Sequence, residues 1–181
     1  TLPASALKDT PKDKKAKKSK KKDKNAAAPK INKDAANDML IYYFATGDTI
    51  RLHYVAAYDV NSSGTCLAYI NRDKKDCNKV KVMNMGDGST IHESENATYM
   101  TSLQFNWKGD RFMYLAAQDT TSSGSKHCSL YEYQFGKGMR TVVSNEDSEK
   151  LIDGWGLTEK SAPSYSRINS RILVGIQPYV A

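Results

Sequence analysis

The 181-residue chain carries a formal net charge of +7. All of that excess sits in residues 1–38, which hold 12 Lys and 5 Asp, whereas residues 39–181 balance 15 Lys and Arg against 15 Asp and Glu. The basic character therefore belongs to a tail, which argues against a folded nucleic-acid-binding domain whose cations line its own surface; no apolar run of roughly 18 residues exists to span a membrane.

Residues 1–38 include Lys12-Asp13-Lys14-Lys15-Ala16-Lys17-Lys18-Ser19-Lys20-Lys21-Lys22-Asp23-Lys24. Like charges at i,i+4 repel, and no apolar stripe is present for a helix to bury. Pro3, Pro11 and Pro29 interrupt the segment. It reads as a solvated, low-complexity linker or insertion. The competing reading is an electrostatic arm for nucleic acid or anionic lipid, drawing on counterion release. Residues 1–38 contain no aromatic residue, so base stacking is not on offer.

From Met39 onward the composition changes. All 11 Tyr, all 4 Phe and both Trp lie there, and short runs of aromatic and β-branched residues alternate with Gly, Asn, Asp and Ser, the all-β pattern. A length of 143 residues is at most one domain. The first hairpin is predicted over Tyr58-Asp59-Val60-Asn61-Ser62-Ser63-Gly64-Thr65-Cys66-Leu67-Ala68-Tyr69-Ile70. The second runs Leu103-Gln104-Phe105-Asn106-Trp107-Lys108-Gly109-Asp110-Arg111-Phe112-Met113-Tyr114-Leu115. A weaker third copy is Ser164-Tyr165-Ser166-Arg167-Ile168-Asn169-Ser170-Arg171-Ile172-Leu173-Val174, where Asn169 takes the place of the turn glycine and tolerates the same left-handed backbone.

Each of the first two hairpins is followed by a polar loop and two further strands. After the first these are Lys79-Val80-Lys81-Val82-Met83-Asn84-Met85 and residues 90–93; after the second they are Ser129-Leu130-Tyr131-Glu132-Tyr133-Gln134-Phe135 and residues 140–143. Gly64 and Gly109 are 45 positions apart, and Gly109 and Asn169 are 60 apart. Four strands recurring at about 45 residues describe a β-propeller blade. The chain holds about two complete blades plus parts of two flanking ones, so it is expected to be an incomplete propeller and a piece of something longer. A small open β-sheet domain or a sandwich is the alternative fold.

The hairpins resemble the Ser-Pro-Asp-Gly blades of TolB-like and prolyl-oligopeptidase propellers, with Asn106-Trp107-Lys108-Gly109 and Asn61-Ser62-Ser63-Gly64 at the place of that tetrapeptide. The order of features is similar to the amino-terminal propeller of bacterial S9 serine peptidases. A Lys-rich segment precedes Thr46-Gly47-Asp48-Thr49, then Ala68-Tyr69-Ile70, then Gln118-Asp119-Thr120, then Gly175-Ile176-Gln177-Pro178. The resemblance runs from about residue 8 to the end. It implies an exported protein, periplasmic or secreted, in which the propeller caps an α/β-hydrolase domain and limits which peptides reach the site. No Gly-x-Ser-x-Gly nucleophile elbow occurs in the chain, so no catalytic residue carries over, and no cofactor or metal is expected. The expected partner is the rest of its own chain, or a protein covering the open blade faces. A TolB-like interaction propeller is the alternative function, and a β domain whose basic tail docks on RNA is the second.

Other candidate chemistry is sparse. His53, His92 and His127 have no metal-ligand spacing and read as ordinary strand or surface residues. Cys66 reads as a buried small hydrophobe, and a disulfide between Cys77 and Cys128 is conceivable in an exported protein. Glu146-Asp147-Ser148-Glu149 reads as a solvated turn rather than a cation site. Asn61-Ser62-Ser63 and Asn96-Ala97-Thr98 match the glycosylation sequon, although turn roles suffice. Trp107 and Trp155 are expected to pack between blades, Trp107 being the more exposed of the two.

Overall fold

The structure is a computed structural model and describes residues 36–74, 77–118, 125–147 and 149–179, with Lys74 described in its backbone alone. The chain divides into two units, Thr1–Ile31 and Asn32–Ala181. The first, and with it the Lys-rich run, lies outside the described residues, as do Asp119-Thr120 of the Gln-Asp-Thr motif and Ser148.

The described residues form strands and turns without a helix. The strands are β1 (Asn37–Tyr42), β2 (Thr49–Val60), β3 (Cys66–Lys74), β4 (Cys77–Asn84), β5 (Thr90–Glu93), β6 (Tyr99–Phe105), β7 (Arg111–Ala117), β8 (Ser129–Gln134) and β9 (Gly138–Val143). Four two-residue strands follow: β10 (Trp155–Gly156), β11 (Ser164–Tyr165), β12 (Ile172–Leu173) and β13 (Gln177–Pro178). The first sheet has the order β1-β2-β3-β4-β5 and the second β6-β7-β8-β9, all antiparallel; β11 pairs with β12 and β10 with β13.

Two consecutive meanders stacked face to face are propeller blades, and among the described residues no sheet closes on itself. The alternation of side chains along each strand sorts them into separate cores. In β3, Ala68 and Ile70 face the second sheet, where they meet Phe105, Phe112, Tyr114 and Ala116. Leu67 and Tyr69 face the other way, toward Met39, Ile41 and Leu52. In β7 the neighbours Met113, Leu115 and Ala117 point to a third core with Cys128, Leu130, Leu157 and Tyr165. Phe112, Met113 and Leu115 are fully buried because both faces of β7 are covered. That double cover is why its sequence is a continuous apolar run and not an alternating one. Three apolar interfaces therefore join four successive layers, which a two-layered sandwich does not have.

The first sheet departs from a simple four-stranded blade. β2 is long and changes course at Tyr54, whose φ of 60° lies in the left-handed region, with a register shift between Val55 and Ala57. Its early residues pair with β1 and its later ones with β3. The β1–β2 hairpin folds back onto the first sheet, and the Tyr43 hydroxyl donates to the Met85 carbonyl at 2.7 Å. It stands as part of a preceding blade.

The repeat extends beyond the turns visible in the sequence. Ser102 and Ala162 both have positive φ, and each lies seven positions ahead of the left-handed turn residue that follows, Gly109 or Asn169. The isolated bridge Asn78↔Ala97 after the first sheet is matched by Cys128↔Leu157 after the second. The third hairpin is thus a true copy despite its two-residue strands.

Candidate functional site

The three hairpin turns are built alike. Asn61 Oδ1 accepts the N–H groups of Thr65 and Cys66, each at 2.9 Å. Asn106 Oδ1 accepts those of Asp110 and Arg111 at 3.1 and 3.2 Å. In the third copy Ser166 Oγ accepts the Arg171 N–H at 3.0 Å. Side-chain acceptors of this kind satisfy turn donors that the ladder leaves unpaired. The turn residues Gly64, Gly109 and Asn169 have φ of 71°, 76° and 56°.

Successive turns also touch. Asn169 Oδ1 accepts the Trp107 N–H at 3.1 Å, and the Arg167 guanidinium lies 6.0 Å from the centre of the Trp107 ring. The expectation that both tryptophans pack between blades is corrected: Trp107 is 64% exposed and Trp155 41%. Trp107 sits at the tip of its turn, beyond the reach of the sheet faces, so its ring lies on the rim.

The strongest charge constellation was not anticipated from sequence. Glu132, in the middle of β8, is 1% exposed. Arg140 donates from Nε to its Oε2 at 2.7 Å and approaches again through Nη2 at 2.5 Å. Arg111 Nη1 stands 3.7 Å from Oε1, to which the Tyr165 hydroxyl donates at 3.1 Å. Burial first, and the adjacent carboxylate second, raise the Tyr165 hydroxyl's pKa far above its ordinary value, so this hydroxyl stays a donor. The cluster spans β7, β8 and β9 and reaches the third hairpin. The signal available in the sequence was a single carboxylate on the Leu130 face of an aromatic strand; a charge there demands partners when buried.

None of the three cysteines forms a disulfide. Cys128 is buried in the third core, whereas Cys77 is partly exposed and donates through Sγ to Asn96 Oδ1 at 3.4 Å. The matched bridges explain why they do not meet: Cys128 corresponds to Asn78, one position beyond Cys77, and adjacent strand residues face opposite ways. Cys66, expected buried, is half-buried at the start of β3 beside its turn.

His53 accompanies Asp38 at 3.0 Å on the exposed surface, and His127 stacks on Tyr179 with ring centres 3.6 Å apart. His92 stacks on Tyr133 at 4.3 Å, and burial lowers its pKa. Asp147 caps its own turn, taking Lys150 Nζ at 2.6 Å, and that contact holds its carboxyl below the usual range. Of the two sequon asparagines, Asn61 is buried and committed to its turn, while Asn96 is exposed. Among the described residues no three His, Cys, Asp or Glu side chains gather as a metal site, and no helix is long and apolar enough to cross a membrane.

No family model matches the chain, and no curated protein does. Solved structures are similar to parts of it. An acylaminoacyl peptidase in complex with Z-Gly-Gly-Phe-chloromethyl ketone matches 53% of this chain and 18% of its own at 12% identity and a TM-score of 0.39. An acylaminoacyl peptidase from Pyrococcus horikoshii matches 59% and 21% at 11% identity and the same TM-score of 0.39. The β-propeller domain of the Trilobed protease from Pyrococcus furiosus, which has an open velcro topology, matches 78% and 60% at 12% identity, also with a TM-score of 0.39. The matched region is thus about a fifth of the length of the two peptidases.

Proposed function

We propose that these residues are the non-catalytic propeller portion of an S9-type serine peptidase, serving as scaffold and as the gate that limits peptide access to a hydrolase domain. The observation that carries the reading is the layered sector with two apolar ends. Leu40, Tyr42 and Phe44 are exposed on the first layer, Phe44 to 95%, and Ile168 and Leu173 on the last. Blades with such faces need further blades against them. The order of the Lys-rich segment, Thr46-Gly47-Asp48-Thr49, Ala68-Tyr69-Ile70 and Gly175-Ile176-Gln177-Pro178 supports the peptidase family over other propellers.

The test is the native protein, identified by peptides of this sequence, sized by intact mass and treated with a fluorophosphonate probe. A labelled chain much larger than 20.1 kDa is expected. A native mass near 20 kDa sinks the reading. A larger chain without label favours the interaction propeller. The basic-tail alternative has its own test, heparin or RNA binding with and without residues 8–33.

A further inference from the structure

A cleft of about 370 Å³ opens between the connection that follows β5 and the faces of β7 and β8, within the size range of small-molecule sites. Its floor is apolar and polarizable. Met100 and Tyr114 are buried there, with Tyr131 and Met139 beside them. The rings of Tyr114 and Tyr131 stack with centres 5.5 Å apart.

Three polar features line the cleft. His92 Nε2 is buried without a hydrogen-bond partner among the described residues, which in a folded protein calls for an explanation. Burial lowers the pKa of this ring, so at neutral pH it offers one donor and one acceptor nitrogen. The Tyr114 hydroxyl, pushed up to about 12 by burial, stays a donor; it interacts with the Ser94 side chain and meets the Met139 sulfur at 3.9 Å. At the mouth, Glu95 is exposed and forms no ion pair among the described residues, whereas Glu93 is held by Lys79 and Lys81. Gln118 Nε2 donates to the Asn96 carbonyl at 3.0 Å and ties the two walls together there.

We propose that this cleft is a binding site for a small organic cation with a flat apolar body bearing a hydroxyl, of the hydroxyaryl-alkylamine class. The tyrosines and thioethers suit the ring and the cationic end, Glu95 supplies a negative charge outside any ion pair among the described residues, and His92 supplies the partner for the ring hydroxyl. The site is independent of the peptidase reading, because its lining residues all belong to the two stacked blades and the connection between them.

Tyramine is the probe, titrated into the full chain by calorimetry with phenethylamine and 4-ethylphenol alongside. Saturable tyramine binding is expected. Glu95→Gln, at an exposed position, should weaken tyramine tenfold or more and leave 4-ethylphenol unchanged. His92→Phe, which keeps the stack on Tyr133, should abolish the preference for tyramine over phenethylamine. Absence of saturable tyramine binding overturns the proposal, and so does equal tyramine affinity in Glu95→Gln and the parent chain.

Discussion

Gly109 of the second hairpin turn lies against Ser62 of the first: a Cβ built on Gly109 stands 2.8 Å from Ser62 Oγ and 3.1 Å from the Ser62 backbone nitrogen. Gly64, one blade earlier, has nothing within 4 Å of the same position. Both have positive φ, 76° and 71°. An alanine at Gly64 should therefore cost about 1–2 kcal/mol for the left-handed backbone alone. At Gly109 the cost should be clearly larger, because the neighbouring turn must also move. Urea midpoints of Gly64→Ala and Gly109→Ala, compared at equal m-value, check this. Equal midpoints would mean that the two turns do not bear on each other.

The Glu132 cluster joins the second blade to the third hairpin. Glu132→Ala removes a carboxylate that serves Arg140, Arg111 and Tyr165, and breaking a buried pair from one side costs about 3–5 kcal/mol. Arg140 has a side chain 64% exposed and can return to water, so the loss should fall at the low end of that range. Tyr165→Phe deletes one hydrogen bond to a charged acceptor, about 1.5–3 kcal/mol. A double-mutant cycle between Glu132→Gln and Tyr165→Phe should give a non-zero coupling energy; additive effects would place the two groups apart in solution.

His92 makes a prediction about pH. Burial lowers its folded-state pKa below the ordinary 6.5, with Glu93 acting weakly the other way. In the unfolded chain the ring protonates first as pH falls. The stability associated with His92 is therefore full above about 6.5 and is lost as pH falls from there through the lower folded value. His92→Phe should flatten the stability profile over this window while leaving its slope near pH 8 unchanged. A parallel profile in the variant would assign the acid loss to other groups.

Much of this architecture was legible in the sequence because turn chemistry and strand alternation are local. Asn106 and Gly109 mark a turn by their own chemistry at that spacing. The strands after each hairpin fell where the pattern placed them, β5 at Thr90–Glu93 among them. What depends on register across layers was not legible. Cys77 and Cys128 occupy similar places before their strands, yet a one-residue offset turns them to opposite faces. Glu132 gains its meaning only from Arg140 on the next strand and Tyr165 on the next hairpin, contacts that no local pattern encodes. Trp107 was misjudged because a large aromatic in a turn is read as core by composition and as rim only by geometry.

The open first face leads to a prediction about association. Along β1, Met39 and Ile41 turn inward to the first core, while Leu40 and Tyr42 turn outward, with Phe44 just beyond and its ring edge-on to Tyr42 at 5.3 Å. The outward residues contribute to none of the three cores, so replacing them should leave the fold in place. Exposed apolar residues on an edge strand favour self-association. Sedimentation velocity of the full chain should show concentration-dependent oligomers, and the triple variant Leu40→Glu, Tyr42→Lys, Phe44→Glu should sediment as a monomer at the same concentrations. A near-UV circular dichroism spectrum that keeps its buried-aromatic bands would show that the cores survive the change. Unaltered oligomers in the variant would move the association to the other end of the sector, where Ile168 and Leu173 are exposed, and Leu173→Lys would then be the substitution that dissolves it.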